Sequence, residues 1–251
     1  MIQNNSRVLS AYEKNQLRIY KIPESVALKT EQPVEYLTHH VEFCGLDFYV
    51  DQSVLIPRIE TEELVALAIH TAKELYEKTN KKLEIIDVGT GSGAITICVA
   101  KKLLELKVPF KIIATEVSQE ALQITQKNAK NLVPSAEVEF LECNLLTGIT
   151  QKFDLIIANL PYIPSQRIEY LEASVKDFEP HVALDGGESG LTLIHTMIHQ
   201  AKELVFPHTK ILLEVDYTHG YDEFNAVRSD WDIVVTPDSM VGVHFVKLQR
   251  K

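Results

Sequence analysis

A glycine-rich turn lies between an apolar strand and a helical segment in the first half of the chain. The apolar run at residues 83–88 leads into Gly89, Gly91 and Gly93. Glycines let a backbone approach a ligand where a Cβ atom would collide, and the first turn of a helix presents free N–H groups. The turn is therefore a candidate site for a ligand that carries a carboxylate or a phosphate.

Two ligand classes are compatible with this turn. Gly89, Gly91 and Ala94 also satisfy the looser fingerprint of dinucleotide binding, so the glycines do not separate a nicotinamide cofactor from S-adenosylmethionine. In either case Glu116, at the end of the next predicted strand, would accept hydrogen bonds from ribose hydroxyls. Asp87 precedes the first glycine and favours the methyltransferase type of turn, in which an acidic residue organises the loop around the methionine moiety.

A second set of candidate residues follows the predicted strand at residues 153–158. This set is Asn159, Leu160, Pro161 and Tyr162. An amide nitrogen is a poor nucleophile, so an enzyme that methylates it must hold both N–H groups and aim the nitrogen at a methyl sulfonium. The Asn159 side-chain oxygen and the Leu160 carbonyl can accept those two protons. Pro161 restricts the backbone of Leu160, and Tyr162 offers a ring face to a planar amide.

The elements that must position these groups alternate along the chain. Alternation of strands and helices predicts a parallel sheet with crossover helices, in which ligands bind outside the carboxyl ends of the strands. The last two strands are hairpin-like and predict an antiparallel end to the sheet. The predicted strands are 83–88, 111–117, 138–142, 153–158, 210–215, 231–235 and 242–249, and the predicted helices are 62–77, 94–106, 119–131, 191–205 and 219–228.

The N-terminal part has a different pattern. Residues 1–32 predict one or two short helices, and a hairpin follows at residues 41–50. We place a boundary near residue 55, with a small helical and hairpin segment at 1–55 and the catalytic domain at 56–251. Thr61 is the expected N-cap of the first long helix, and Ser118 that of a later one.

Composition narrows the function classes. The formal net charge of −10 disfavours nucleic acid as a direct substrate. The sequence shows neither a secretory leader nor an apolar run long enough to cross a bilayer, so we expect a cytoplasmic protein without membrane contact.

Cysteines and histidines do not predict a metal site. Cys44, Cys98 and Cys143 are far apart and read as free thiols. His195 and His199 would share a helix face, but no glutamate completes a His-Glu-x-x-His arrangement, so we expect no bound metal.

The chain resembles the release factor glutamine methyltransferase family, also called the HemK family, from about Pro33 to Asp216. The segments that carry the resemblance are Pro33-Val34-Glu35-Tyr36-Leu37, Val54-Leu55-Ile56-Pro57-Arg58 with Glu60-Thr61-Glu62, Asp87 to Gly93, Asn159 to Ile163, Glu179-Pro180, Ala183-Leu184 and Gly186-Gly187-x-x-Gly190-Leu191.

This resemblance implies a Rossmann-like class I methyltransferase fold of the α/β class, with a mostly parallel seven-stranded sheet and a C-terminal antiparallel hairpin. It also implies methyl transfer from S-adenosylmethionine to the glutamine of the Gly-Gly-Gln loop of a peptide chain release factor. The catalytic residues would be Asn159, Leu160, Pro161 and Tyr162, with Arg58, Asn159, Pro161 and Tyr162 binding the substrate. The cofactor residues would be Asp87, Gly89, Thr90, Gly91, Ser92, Gly93, Glu116, Asn144, Leu145 and Asn159.

Three features depart from the family pattern. Leu160 stands where the family normally has proline, and Asn144 replaces an acidic residue often found after the third strand. The family usually also carries a larger N-terminal helical domain, whereas only some 32 residues precede Pro33.

Three other functions compete with this interpretation. An adenine amino-methyltransferase would use the same chemistry on nucleic acid, but the net charge speaks against it. A nicotinamide-dependent oxidoreductase would need a hydride-site pair such as Tyr-x-x-x-Lys, which the sequence does not show. A non-catalytic S-adenosylmethionine-binding protein is the third, motivated by the departures at Leu160 and Asn144 and by the short N-terminal segment.

Overall fold

A computed structural model of the chain describes residues 7–237 and 242–251. The part of the predicted N-terminal helical segment that falls on residues 1–6 lies outside the described residues. A two-stranded sheet near the N-terminus precedes a central sheet of seven strands. The strands are β1 His40–Phe43, β2 Leu46–Tyr49, β3 Leu83–Val88, β4 Phe110–Glu116, β5 Val138–Glu142, β6 Phe153–Ala158, β7 Val205–Asp216, β8 Trp231–Pro237 and β9 Val243–Arg250.

The central sheet has the strand order β5-β4-β3-β6-β7-β9-β8. The first five strands in this order pair in parallel, and β9 runs antiparallel between β7 and β8. The predicted mostly parallel seven-stranded sheet with its C-terminal antiparallel hairpin is confirmed. Every residue of β6 is buried, as expected for a strand that helices cover on both faces.

Eight α-helices lie within the described residues, together with short 3₁₀ turns at Ser165–Tyr170, His181–Ala183 and Asp222–Val227. The predicted helix at 219–228 is thus only a 3₁₀ turn. The α-helices are α1 Ala11–Ile19, α2 Glu24–Ala27, α3 Val34–Thr38, α4 Thr61–Thr79, α5 Ala94–Glu105, α6 Gln119–Leu132, α7 Ala173–Lys176 and α8 Thr192–Ala201.

Two helix boundaries differ from the prediction. The expected helix at 191–205 is wrong at its end, because α8 stops at Ala201 and Val205 already begins β7. Thr61 is not a cap, since α4 starts at Thr61 and its capping residue, Glu60, makes no side-chain cap hydrogen bond. The Ser118 cap is confirmed, because its hydroxyl accepts from the Ala121 N–H.

The N-terminal segment contains short helices and a hairpin, as predicted. Ser10 and Glu13 form a reciprocal capping box at the start of α1. Leu17 is among the buried residues of a small apolar cluster, whereas Phe43 and Phe48 of the hairpin belong to the main core below the sheet. The boundary near residue 55 stays a prediction.

The buried amide of Asn128 joins the hairpin to the catalytic part. Its Oδ1 accepts from the Tyr49 N–H at 2.9 Å, and its Nδ2 donates to the carbonyls of Tyr49 and Ser92 at 2.9 Å each. Asn128 therefore connects α6, β2 and the glycine-rich turn through one side chain.

We expect Asn128→Ala to lower the free energy of unfolding by about 3 kcal/mol, because it leaves buried backbone groups of Tyr49 and Ser92 without partners. Urea denaturation followed by circular dichroism measures the effect. Asn131→Ala, one turn further on the exposed face of the same helix, is the matched control. Equal stability of the two variants would contradict this role of Asn128.

Candidate functional site

A cavity of about 310 Å³ lies beyond the carboxyl ends of β3, β4 and β6. This volume is typical of a small-molecule site. The cavity brings together eleven of the predicted site residues, whereas Asp87, Gly93 and Tyr162 are not part of its wall. The eleven are Arg58, Gly89, Thr90, Gly91, Ser92, Glu116, Asn144, Leu145, Asn159, Leu160 and Pro161.

The glycine-rich turn is held from below by Asp87. This carboxylate is 1% exposed, and its Oδ2 accepts from the hydroxyls of Thr90 at 2.8 Å and Thr96 at 2.7 Å. Burial raises the pKa of Asp87 to about 6, although the two threonine hydrogen bonds partly oppose the rise. Its Oδ1 is buried without a partner among the described residues. Asp87 therefore organises the turn from inside the protein.

Backbone conformation requires glycine in the turn. Gly91 has φ +57° and no atom near its Cβ position, and Gly93 has φ +84° with Thr125 Cγ2 only 2.8 Å from that position. The absence of a side chain at Gly91 leaves open space over the turn. The absence of one at Gly93 lets α6 pack directly on the turn.

Glu116 connects the end of β4 to the turn. Its Oε2 accepts from the Gly91 N–H at 3.0 Å, and its Oε1 accepts from the N–H groups of Val117 at 2.8 Å and Ser118 at 3.1 Å. The carboxylate is thus at the cavity wall with its orientation fixed by backbone donors. A group in this place can accept hydrogen bonds from vicinal hydroxyls of a bound ribose.

Asn159 follows β6 and lies in the wall opposite the turn. Its Nδ2 donates to Thr61 Oγ1 at 3.1 Å and to Glu214 Oε1 at 3.0 Å. Within the described part of the chain, neither Asn159 Oδ1 nor the Leu160 carbonyl accepts a hydrogen bond. Two acceptors are therefore available to a planar amino group beside the cavity.

Leu160 contacts the glycine turn through its side chain. The residue is 3% exposed, and a Cβ atom on Gly89 would lie 2.9 Å from Leu160 Cδ2. The leucine that replaces the family's usual proline thus packs on the turn.

Glu214, near the carboxyl end of β7, is the buried carboxyl group that contacts residues 159–162, the amide loop. It is fully buried, and it accepts from the Tyr162 hydroxyl at 3.2 Å as well as from Asn159. Burial raises the pKa of Glu214 to about 7, against the partial lowering by hydrogen bonds from Thr61, Tyr162 and Asn159. Burial and the neighbouring Glu214 also raise the pKa of Tyr162 well above its ordinary value.

An ion pair joins the segments on either side of the cavity. Arg58 Nη2 lies 2.5 Å from Glu179 Oε1, and the Glu179 side chain is only 1% exposed. Burial raises the pKa of Glu179, and Arg58 partly offsets the rise. The Ile-Pro-Arg and Glu-Pro segments, 121 residues apart in sequence, are therefore one structural unit.

Gly186 and Gly190 lie in the long loop, residues 163–191 between β6 and α8, and allow it to pack against the amide loop. A Cβ atom on Gly186 would lie 2.6 Å from the Pro161 carbonyl oxygen, and one on Gly190 would lie 2.3 Å from that of Tyr162. Hydrogen bonds from Gly186 N–H to the Ile163 carbonyl and from Ile163 N–H to the Leu184 carbonyl complete the contact. Backbone thus packs on backbone behind the site.

The last part of the wall follows β5. Asn144 is exposed at the cavity, and Leu145 adopts φ +53°, which is uncommon for a residue with a side chain. Cys143 Sγ donates to the Leu145 carbonyl and fixes this bend.

Three important residues were missed or misread from the sequence. Glu214 was not recognised, although an acidic residue within the apolar run of residues 211–215 is itself an unusual signal. Thr61 was expected to cap α4, and Glu179 was noted only as part of the Glu-Pro segment, without its ion pair to Arg58. Within the described ranges, no group of three or more His, Cys, Asp or Glu side chains could hold a metal ion, and the three cysteines are free thiols. No described helix is long and apolar enough to cross a membrane.

Comparison with known proteins gives the family. A family model described as a methyltransferase domain matches residues 79–206, about half of the chain. The release factor glutamine methyltransferase of Koribacter versatilis is 39% identical over 223 residues, which are 88% of this chain and 75% of that protein. That of Streptococcus pneumoniae is 35% identical over 193 residues, 77% of this chain and 65% of that protein.

Solved structures agree on the fold. The ribosomal protein L11 methylase of Lactobacillus delbrueckii subsp. bulgaricus superposes with a TM-score of 0.55 at 19% identity, covering 80% of this chain and 84% of that structure. At this identity the likeness shows a shared fold alone. From the sequence relatives and the methyltransferase domain, the chain belongs to the release factor glutamine methyltransferase family.

Proposed function

We propose that this protein transfers a methyl group from S-adenosylmethionine to the side-chain amide nitrogen of the glutamine in the Gly-Gly-Gln loop of a peptide chain release factor. The observation that carries the proposal is the hydrogen bonding of the Asn159 side-chain amide. Its Nδ2 is engaged by Thr61 and Glu214, so its Oδ1 and the Leu160 carbonyl remain as acceptors for a substrate –NH₂ group. Two acceptors match the two N–H donors of a primary amide.

The residues around the glycine turn fit S-adenosylmethionine. Glu116 would accept from the ribose hydroxyls, and Asp87, buried behind the cavity wall, would hold the turn around the methionine end through its hydrogen bond from Thr90. Asn144 and Leu145 would contact the adenine, where the Asn144 amide oxygen can accept from its amino group. When bound, the cofactor supplies a sulfonium methyl group that an amide nitrogen can attack, with the electron pair of the broken S–C bond moving to sulfur.

The amide loop would bind and orient the substrate amide. Asn159 and Leu160 would fix the substrate nitrogen and favour the positive charge that develops on it, and the nitrogen then loses one proton to solvent. Pro161 would line the glutamine pocket, and Tyr162, which lies outside the cavity wall, would fix the amide loop through its hydrogen bond to Glu214. Arg58 would contact the substrate chain at the rim, since it lines the cavity and is anchored by Glu179.

The release factor itself is the partner in this proposal. It is supported by the names of the relatives, although the chain spans only 75% and 65% of the length of the two compared above. We further propose a cytoplasmic location, because translation termination takes place there, and that nucleic acid is not a direct substrate, because the net charge is −10.

We predict that Asn159→Ala lowers the rate of labelled methyl transfer to a release factor by about 100-fold or more, because it removes one of the two acceptors that hold the substrate nitrogen. Asn131→Ala, on the exposed face of α6, is the control and should retain wild-type activity. Wild-type transfer to DNA or tRNA but not to the release factor would refute the glutamine assignment.

We predict that Glu116→Ala weakens S-adenosylmethionine binding about 10- to 100-fold, as expected for loss of charge-assisted hydrogen bonds. Isothermal titration calorimetry measures the dissociation constant. Glu142→Ala provides the matched control, since Glu142 is exposed and pairs in register with Glu116 on the adjacent strand. Binding of NADH by the wild-type protein without binding of S-adenosylmethionine would contradict the proposed cofactor.

A further inference from the structure

We propose that Glu214 is the positioning residue of the amide site, and that its carboxylate holds the Asn159 side chain in the orientation that presents Oδ1 to the substrate. The inference rests on the proposed function for the identity of that substrate. The orientation of Asn159, however, is a property of the protein alone and can be tested without any substrate.

The chemistry of the acceptor sets the orientation. Glu214 Oε1 also accepts from the Tyr162 hydroxyl, and a carboxyl oxygen that carries no proton accepts hydrogen bonds and donates none, so the end of an asparagine amide that faces it must be the nitrogen. Asn159 Nδ2 lies 3.0 Å from Glu214 Oε1 and 3.1 Å from Thr61 Oγ1. Rotating the amide by half a turn would place Oδ1 against Glu214 Oε1, which is repulsive. Asn159 Oδ1 is therefore kept on the opposite side.

The sheet makes this carboxylate a rigid reference point. Glu214 lies in β7 between β6 and β9, and Ala158 at the end of β6 is in register with Leu213. The side chain that orients Asn159 is thus carried by an interior strand next to the start of the amide loop. Tyr162, three residues further along, donates to the same oxygen at 3.2 Å. One atom therefore binds both ends of the four-residue loop.

The cost of this arrangement supports a functional role. Glu214 is fully buried without a positively charged partner, and its Oε2 has no hydrogen bond among the described residues. An uncompensated buried carboxyl is destabilising, so an apolar residue would serve the fold better. The charged neighbour Glu60 on the α4 side raises the pKa further, while Arg58 and Asp216 act on the adjacent Tyr162.

Steady-state kinetics test the inference in the active enzyme. We expect Glu214→Ala to lower kcat for methyl transfer to the release factor by about 100-fold, in line with a small misplacement of a reacting group. The dissociation constant for S-adenosylmethionine should not change. Glu214→Gln should show an intermediate loss, because its Oε1 can still accept from Asn159 while its new amide can also donate. An unchanged kcat in Glu214→Ala would overturn the proposal.

Asp154→Ala is the matched control for the loss of a buried strand carboxylate. Asp154 lies at the opposite end of β6, where it accepts from the Glu84 N–H at 2.8 Å and contacts His208. We expect this variant to lower the melting temperature without lowering kcat. An equal loss of kcat in both variants would assign Glu214 a structural role only.

Nuclear magnetic resonance tests the orientation independently of substrate. The Asn159 side-chain amide signals, assigned by their absence in Asn159→Asp, should exchange slowly with water in the wild-type protein. They should shift and exchange faster in Glu214→Ala, but not in Asp154→Ala. Unchanged signals in Glu214→Ala would overturn the proposal even if the release factor is the substrate. If wild-type protein methylates no release factor, the proposed function fails and these signals still decide the role of Glu214.

The pH dependence of stability tests whether the Glu214 carboxyl group is shielded from solvent. A folded-state pKa of about 7, against an ordinary 4.5, means that the folded protein binds this proton more tightly. Its stabilising contribution is full below the ordinary pKa and is lost as the pH rises through about 7. We therefore expect the melting temperature of the wild type to fall more than that of Glu214→Gln between about pH 5 and pH 8. The same pH dependence in both proteins would show a solvated carboxyl and overturn the orientation argument.

Discussion

The parallel pairing of β3, β4 and β6 is the constraint on which the rest of this structure depends. Parallel strands end at the same edge of a sheet, so the turns that follow them must meet in space. Val88 pairs with Thr115 on one side and with Ala158 on the other. The glycine turn, Glu116 and Asn159 follow directly after these positions. Residues separated by about 70 positions in sequence thus become the walls of one cavity.

Two loops beside the sheet edge complete the cavity wall, and contacts outside the sheet fix their positions. Arg58 and Glu179 join the segment before α4 to the long loop after β6, and both segments contribute to the cavity wall. Gly186 and Gly190 let that loop pack directly on the backbone of Pro161 and Tyr162. The amide loop is therefore enclosed between the sheet edge and a backbone layer, which limits its freedom to reorient.

Buried carboxylates surround this site at a cost to stability. Asp87, Glu179 and Glu214 are each 5% exposed or less, and burial raises the pKa of all three. Each one receives hydrogen bonds or an ion pair that organises a different segment of the wall: the glycine turn, the long loop and the amide loop. A methyl acceptor held by two oxygens requires fixed geometry, and the accepting oxygen of Glu214 provides it because it admits a single orientation of the Asn159 amide.

The sequence by itself determined the local chemistry and the order of the elements. Alternating apolar runs and helical segments were sufficient for the α/β class, and the glycines and Asn159 marked the two turns that carry chemistry, because these signals are local. The tertiary structure alone decided the end of α8 and the role of Thr61, whose hydroxyl faces Asn159 instead of capping α4. It also decided the importance of Glu214 and of the Arg58–Glu179 pair. These contacts join residues far apart in the chain, and no local propensity reports which distant partner will satisfy a buried polar group.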